Sequence, residues 1–301
     1  VSAGWRRWIM LRSDAHHDNL HCRQDIERRQ LEKAIERDAL IIDVGDIFCA
    51  MQGRGDPRGN YDALRPEHRT DKYLDALVST ASKFYQPYAR HFALIAHGNH
   101  ETAVIKHRNT DLIDRLTAEL RRAGGVTMPG TYAGWITLRF DIRRTVRTSK
   151  TIRYFHGSGG GGPVTRGVIQ SNRMAVNWPD GDVVVSGHTH DAWVVPVGRD
   201  RVNTQGLPYQ DYAWHVRTPT YKDETSGGMG WAIEKALNPK PLGCAWLELT
   251  YSGDSVQINA SLDLEAGGGV RQRPEREGRD GVPAWELLAM GAGGEGGEGD
   301  A

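Results

Sequence analysis

The sequence predicts an α/β fold, a layered sandwich of two mixed β-sheets flanked by helices. In the first half, short apolar runs alternate with helical patterns, the mark of strand, helix, strand units around a buried, largely parallel sheet. After residue 130 the rhythm changes to closely spaced strands, read as a second sheet packed on the first. The chain has 301 residues, 39% hydrophobic and 25% charged, which supplies a core large enough to need no disulfide staples.

Taken in order, the first apolar runs are residues 8–11, 40–44 and 92–96. Between the first two, Leu31, Ala34, Ile35 and Ala39 recur at helical spacing in a charged segment, so one face packs and the other is solvated. Between the second and third, Leu74, Leu77, Val78, Ala81 and Tyr85 repeat the pattern, with Pro66, Glu67 and Asp71 as start signals. Leu112, Ile113, Leu116 and Leu120 predict a helix opened near Asn109 or Thr110 and stopped by Gly124 and Gly125. Strands follow at 135–140, 151–155, 183–185, 194–197, 246–250 and 256–258, interrupted by a helix over 166–178. The expected globular domain covers 1–264, and 265–301, rich in Gly, Arg, Pro and Glu, reads as a disordered tail with a short docking element at 285–290.

Charge and cysteine usage exclude several classes. Lys plus Arg and Asp plus Glu both number 38, so no global field draws the chain to nucleic acid or an anionic membrane. Three cysteines, Cys22, Cys49 and Cys244, without C-x-x-C spacing, form neither a disulfide framework nor a thiolate zinc site. Residues 1–12 are too short and too charged for a signal peptide, and no apolar run approaches the roughly 18 residues of a spanning helix. The expectation is a soluble, cytoplasmic protein.

The chemistry-bearing side chains fall at the carboxyl ends of the predicted strands. Asp14 and His16 follow the first run, Asp46 the second, Asn99 and His100 the third; His156 ends a later strand, and His188 and His190 follow residues 183–185. In an open α/β sheet that edge gathers loops from distant parts of the chain. Imidazole, carboxylate and amide oxygen together suit manganese, iron, zinc and similar ions. A shared carboxylate such as Asp46 bridges two ions about 3.5–4 Å apart, a pair that activates water and clamps a phosphoryl group for in-line displacement.

These residues lie in ordered motifs: Asp14-Ala15-His16, Gly45-Asp46, Gly98-Asn99-His100-Glu101, His156-Gly157 and Gly187-His188-Thr189-His190. In that order they resemble the calcineurin-like metallophosphoesterases, over about residues 8–195. The resemblance implies one metal on Asp14, His16, Asp46 and His190, and a second on Asp46, Asn99, His156 and His188. It implies that His100 contacts the phosphate and serves as the general acid. The implied cofactors are two divalent ions, manganese foremost, with iron, zinc, nickel or cobalt as alternatives. The chain departs from the pattern at Cys49, where the family often carries a second aspartate. A phage or prophage subset is suggested by Gly55-Asp56-Pro57-Arg58 and by the glycine run 157–162.

Other candidates come from position. His17 should point away from His16 on an extended segment and is a candidate second layer or substrate contact, with Arg58 and Arg166 as further substrate contacts. The glycine run could bring amides to a phosphate, but Pro163, Val164 and Thr165 replace the Lys and Ser or Thr of a P-loop. The basic cluster Arg54, Arg58, Arg65, Arg69 and Lys72 is interleaved with acidic residues that cancel its field. The sequence therefore predicts a binuclear metal phosphoesterase acting on a phosphoester substrate, leaning to phosphodiester or nucleic acid, with no membrane partner. The alternatives are a phosphomonoesterase or protein phosphatase, a nuclease subunit of a larger assembly, and a catalytically silent binding or scaffold protein.

Overall fold

Backbone pairing settles how the strands divide between the two sheets. The computed structural model describes residues 1–265 except 3, 53–58, 60, 144–145, 161, 163, 226–230 and 253–254. The elements run β1 (Arg6–Arg12), α1 (Gln24–Glu36), β2 (Leu40–Asp43), α2 (Tyr73–Tyr85), β3 (Phe92–Ala96), α3 (Asn99–Arg108), α4 (Leu112–Arg122), β4 (Met128–Gly130), β5 (Ala133–Arg143), β6 (Val146–Phe155), α5 (Ile169–Asn177), β7 (Val183–Ser186), β8 (Trp193–Val202), β9 (Pro208–Arg217), α6 (Trp231–Glu234), β10 (Leu242–Ser252) and β11 (Ser255–Glu265). One sheet has the order β11-β10-β1-β2-β3-β4 and the other β5-β6-β7-β9-β8. Both are mixed. Strands β1 to β4 pair in parallel and β10 and β11 join antiparallel, while β6, β7 and β9 are parallel between antiparallel β5 and β8.

The layered α/β sandwich expected from the sequence is present, with one correction to its wiring. The strands expected at 246–250 and 256–258 belong to the first sheet, because β10 pairs with β1 from Arg6 opposite Thr250 to Leu11 opposite Ala245. Period-2 patterning reports that a strand exists but not its neighbour. Strand β9 was unforeseen, since Gln210 and Asp211 break its apolar run, and the three-residue β4 was too short to register. Helix α3 was also unforeseen: it buries only Glu101 and Val104 and so carries no apolar stripe. Pro66 opens a short 3₁₀ turn, Pro66–His68, and α2 begins later at Tyr73. Helix α4 is capped by Asp111, whose carboxylate accepts the N–H groups of Ile113 and Asp114. The expected tail and docking element, apart from Glu265, lie outside the described residues.

Alternation along β1 separates the two cores. Met10 packs with Ile41, Phe92, Ile26, Leu31, Leu77 and Leu116 between the first sheet and its helices. Ile9 and Leu11 face the other way, meeting Ile42, Val44, Ile152, Val183, Val185 and Val216 between the sheets. Burying these side chains, at about 1.5–3 kcal/mol each, fixes the carboxyl ends of β1, β2, β6 and β7 against one another. Among the described residues no helix is long and apolar enough to cross a membrane.

Beneath that edge, Arg12 is fully buried and binds Asp43 Oδ2 at 2.8 Å and Glu27 Oε1 at 2.7 Å. Tyr85 donates to the same Glu27 oxygen at 2.5 Å. Burial pushes the Asp43 carboxyl up, Arg12 pulls it down, and the balance is about 6. Replacing Arg12 by Met leaves two acidic groups buried without their cation, and a urea titration of Arg12→Met should read a loss of about 3–5 kcal/mol. His215 on β9 is buried with Nδ1 unpaired, and burial followed by Arg199 lowers its pKa to about 4. The unfolded chain then binds a proton near pH 6.5 that the folded chain refuses, so stability falls as pH drops from about 6.5 toward 4. In thermal melts, His215→Phe should lose less stability than wild type between pH 7 and 4.5.

Candidate metal centre

Each ligand-type side chain sits where a strand ends and the backbone turns. The loops after β1 and β2 are tied together: Asp14 N donates to Gly45 O at 2.9 Å and His16 N to Asp46 O at 3.1 Å. Asp14, His16, Asp46, His188 and His190 all have positive φ, from 49° to 75°. Outside glycine this region is uncommon and costs about 1–3 kcal/mol where it is strained, though Asp and His tolerate it better than most. Its concentration at five neighbouring polar residues marks a built site. Gly98 and Gly187 are required by close approach, since a Cβ at the first would strike the Asp46 carboxylate and at the second Ser13 and the Asp14 carboxylate.

Three groups of donor atoms converge: Asp14 with His16 and His190, His16 with Asp46 and His100, and Asp46 with His156 and His188, each set within 4.8 Å. Asp46 and His16 each belong to two of them. His156 Nε2 stands 3.1 Å from Asp46 Oδ2, and His190 Nε2 is 3.4 Å from Asp14 Oδ1. Asn99 Oδ1 accepts from His188 Nδ1 at 2.7 Å and from His156 Nε2 at 3.2 Å. The structure thus brings together all seven residues expected as ligands, Asp14, His16, Asp46, Asn99, His156, His188 and His190, and adds His100 beside them.

Cations fit these residues on two observations. His16 Nε2 and His190 Nε2 face each other at 3.1 Å, so two ring nitrogens converge on one space, and the buried Asp14 Oδ1 has no hydrogen bond. The donors are imidazole nitrogen, carboxylate and amide oxygen, a set for borderline and hard divalent ions. Burial, then Lys222, His100 and His190, holds His16 well below the ordinary imidazole value, leaving its lone pair free. His156 shows the opposite balance. Burial lowers it, but Asp46 and Asp14 prevail and raise it to about 10, so the carboxylates draw positive charge.

Orientation comes from the other end of each ring. His156 Nδ1 donates to Val44 O at 2.9 Å and His100 Nδ1 to Cys49 O at 2.6 Å, turning both Nε2 atoms toward Asp46, that of His100 to 3.7 Å from Oδ2. Asp14, His16, Asp46 and His156 form a buried floor, whereas Asn99, His100, His188 and His190 are partly open to solvent.

Three further residues support the site. Glu101 is fully buried and accepts backbone N–H groups from Gly98 at 2.8 Å, Asp46 at 3.1 Å and Phe48 at 2.9 Å, locking the loops after β2 and β3 together. Burial and the nearby Asp46 raise its pKa to about 8. Arg217, also fully buried, donates to Gly187 O and to Gln170 Oε1, stacks on Trp193, and braces the His188 loop. Cys49 Sγ lies 3.2 Å from His16 Nδ1. In the sequence Glu101 left a signal as part of Gly98-Asn99-His100-Glu101 and Cys49 as the departure from the family pattern, whereas Arg217 left none.

The expected substrate contacts fare differently. His17 is 2% exposed and packs on His68, Phe84 and Tyr85, with Gln24 Nε2 3.2 Å from its Nδ1. It points away from His16 into the helical layer. Arg166 is exposed on the loop before α5, its carbonyl accepting the Trp193 indole N–H. Arg58 and the Gly55-Asp56-Pro57-Arg58 stretch lie outside the described residues, as do Gly161 of the glycine run and Pro163 after it. The three cysteines are buried and free.

Neither a family model nor a curated protein matches the chain. Solved structures similar to it include vacuolar protein sorting 29 from Cryptosporidium parvum, at 12% identity over 87% of this chain and 100% of that one, TM-score 0.36. The calcineurin-like phosphoesterase YfkN from Bacillus subtilis is 13% identical over 86% and 90%, TM-score 0.41. GAP50, described as the anchor in the inner membrane complex of Plasmodium, is 11% identical over 88% and 87%, TM-score 0.41. Likenesses at this level assign no function, which has to be argued from the site itself.

Titration of the chelator-treated protein with Mn2+ should raise its melting temperature, with about 2.7 kcal/mol of added stability when free ion reaches a hundred times its Kd. His188→Ala should weaken the calorimetric binding isotherm. No heat and no melting shift in the wild-type protein would remove the metal centre.

Proposed function

We propose that the chain is a metal-dependent phosphoesterase of the calcineurin-like kind, carrying two divalent ions and leaning to phosphodiesters. The observation that carries this reading is the convergence of two donor sets on the shared carboxylate of Asp46, with His100 beside them on the solvent side. Asp14, His16, Asp46 and His190 would hold one ion and Asp46, Asn99, His156 and His188 the other. In such a centre divalent ions polarise a phosphoryl oxygen and lower the pKa of water. Manganese is the leading occupant, with iron, zinc, nickel or cobalt accepted by the same donors.

The residues then divide the work. The buried floor excludes bulk water and keeps the ligand atoms preorganised, so little reorganisation accompanies charge development. His100, whose Nδ1 is engaged by Cys49 O, presents Nε2 on the open side and protonates the leaving oxygen, which departs poorly as an alkoxide. Asn99 Oδ1 orients His188 and His156 together. A scaffold that had lost the chemistry would not need the left-handed backbone retained at five ligand positions.

The test is turnover of bis-p-nitrophenyl phosphate and p-nitrophenyl phosphate in Mn2+, before and after chelation. Hydrolysis should need metal and favour the diester, and faster turnover of the monoester would move the assignment to a phosphomonoesterase. His100→Ala should lower kcat by about 10²–10⁴-fold, and Asp46→Asn should abolish turnover. Metal-independent hydrolysis, or none of either substrate, would end the proposal.

A further inference from the structure

A row of aromatic rings leaves the candidate metal centre along the outer face of the second sheet. From His156 it passes to Tyr132 at 5.4 Å between centroids, to Phe155 at 5.7 Å and to Trp178 at 5.6 Å. Arg153 then lies between two indoles, 4.8 Å from Trp178 and 5.3 Å from Trp135. Strand register explains the row. Trp135 pairs with Arg153 and Ala133 with Phe155, so these residues share one face, while Ile136, Leu138, Ile152 and Tyr154 turn inward to the core.

This face has three properties that packing alone does not require. Trp135 is 49% exposed although it is among the largest side chains on the sheet. Arg153 has no carboxylate partner among the described residues, and its Nε is buried without a hydrogen bond. Arg139 and Arg147 stand on the same face with Asp141, which Arg147 already binds at 2.9 Å, while Asp182 beside Thr151 is met by Lys150 at 3.7 Å and Arg199 at 3.6 Å. The strip is therefore aromatic and net positive, and β5 lies at the sheet edge, where a long ligand can approach.

We propose that this strip is a stacking track for the bases of a single-stranded nucleic acid whose phosphodiester enters the metal centre. The proposal rests on the phosphoesterase reading and specifies its substrate class. Aromatic rings and an arginine plane take successive bases by their π-faces, and the unpaired positive charge follows the backbone. A duplex keeps its bases stacked on one another and offers the strip only phosphates. An apolar peptide would leave the arginines unmatched.

Fluorescence anisotropy of a labelled ten-residue oligothymidylate tests this with the full chain in EDTA at low salt, so that binding is read without turnover. Wild type should bind it more tightly than a blunt duplex of the same length. Trp135→Ala should weaken binding about 5- to 100-fold, Trp135→Phe should recover most of the loss, and Arg153→Met should weaken it as well. The exposed position of Trp135 leaves the fold in place, which an unchanged melting temperature checks. Equal affinity for wild type and Trp135→Ala, preference for the duplex, or no binding by wild type would each overturn the track. Hydrolysis of bis-p-nitrophenyl phosphate by the manganese-loaded wild type is scored separately: turnover with no Trp135-dependent binding refutes the track alone, and binding without turnover refutes the phosphoesterase reading.

Discussion

The left-handed backbone at Asp14, His16, Asp46, His188 and His190 is the constraint from which the rest of the site follows. In an extended strand residues two apart, such as Asp14 and His16, already share a face. Turning at the carboxyl end of β1 seats both against the loop after β2, where Asp46 stands. Such turns persist only where the surroundings over-determine them. Here the bonds from Asp14 N to Gly45 O, His16 N to Asp46 O and Tyr221 N to Asp14 O do so. The glycines of the motifs are the complement of this geometry, for they stand where a carboxylate or a neighbouring loop already fills the place of a Cβ.

Convergence of polar groups in a dry interior has an electrostatic cost, and the structure distributes its counter-charges accordingly. Arg12 neutralises Asp43 and Glu27 below the site. Glu101 meets three backbone donors and, among the described residues, no ion-pair partner, and its raised pKa of about 8 reflects both its burial and its closeness to Asp46. Arg217, buried without an ion pair among the described residues, binds a carbonyl and an amide oxygen instead. A buried group satisfied by neutral dipoles holds position at a lower desolvation penalty than one facing a lone opposite charge. At Asp14 and Asp46 buried carboxylates face imidazoles across a shared space, an arrangement suited to a positive ion.

The sequence was most informative where residue type and spacing are dictated by local chemistry. Seven ligand-type residues were legible because each follows an apolar run, and Phe92–Ala96 was read with its bounds intact. Sheet membership was not legible, because the partner of β10 is chosen by long-range packing of Ile9, Leu247 and Leu249 rather than by any pattern within the strand. Helix α3 escaped because its role is to present Asn99 and His100 from its first turn and to bury Glu101, so it has no apolar stripe to advertise it. His17 escaped differently. Its alternation with His16 was correctly read, but what lay on the far side, the Phe84 and Tyr85 rings, required the fold.

The two halves of the donor set belong to different sheets. Asp14, His16, Asp46 and Asn99 follow strands of the first, whereas His156, His188 and His190 follow β6 and β7 of the second. Their separation is therefore set by the apolar layer of Ile9, Leu11, Ile42, Val44, Ile152, Val183 and Val185 between the sheets. Interiors are packed at crystal-like density, so a methylene added or removed there is felt as a shift rather than absorbed. The distance from Asp46 to His156, 3.1 Å in this structure, is thus a readout of core packing along the strands that lead to each of them. Affinity of the centre for cations and stability of the sandwich are two expressions of the same layer, and a substitution that loosens it must weaken both.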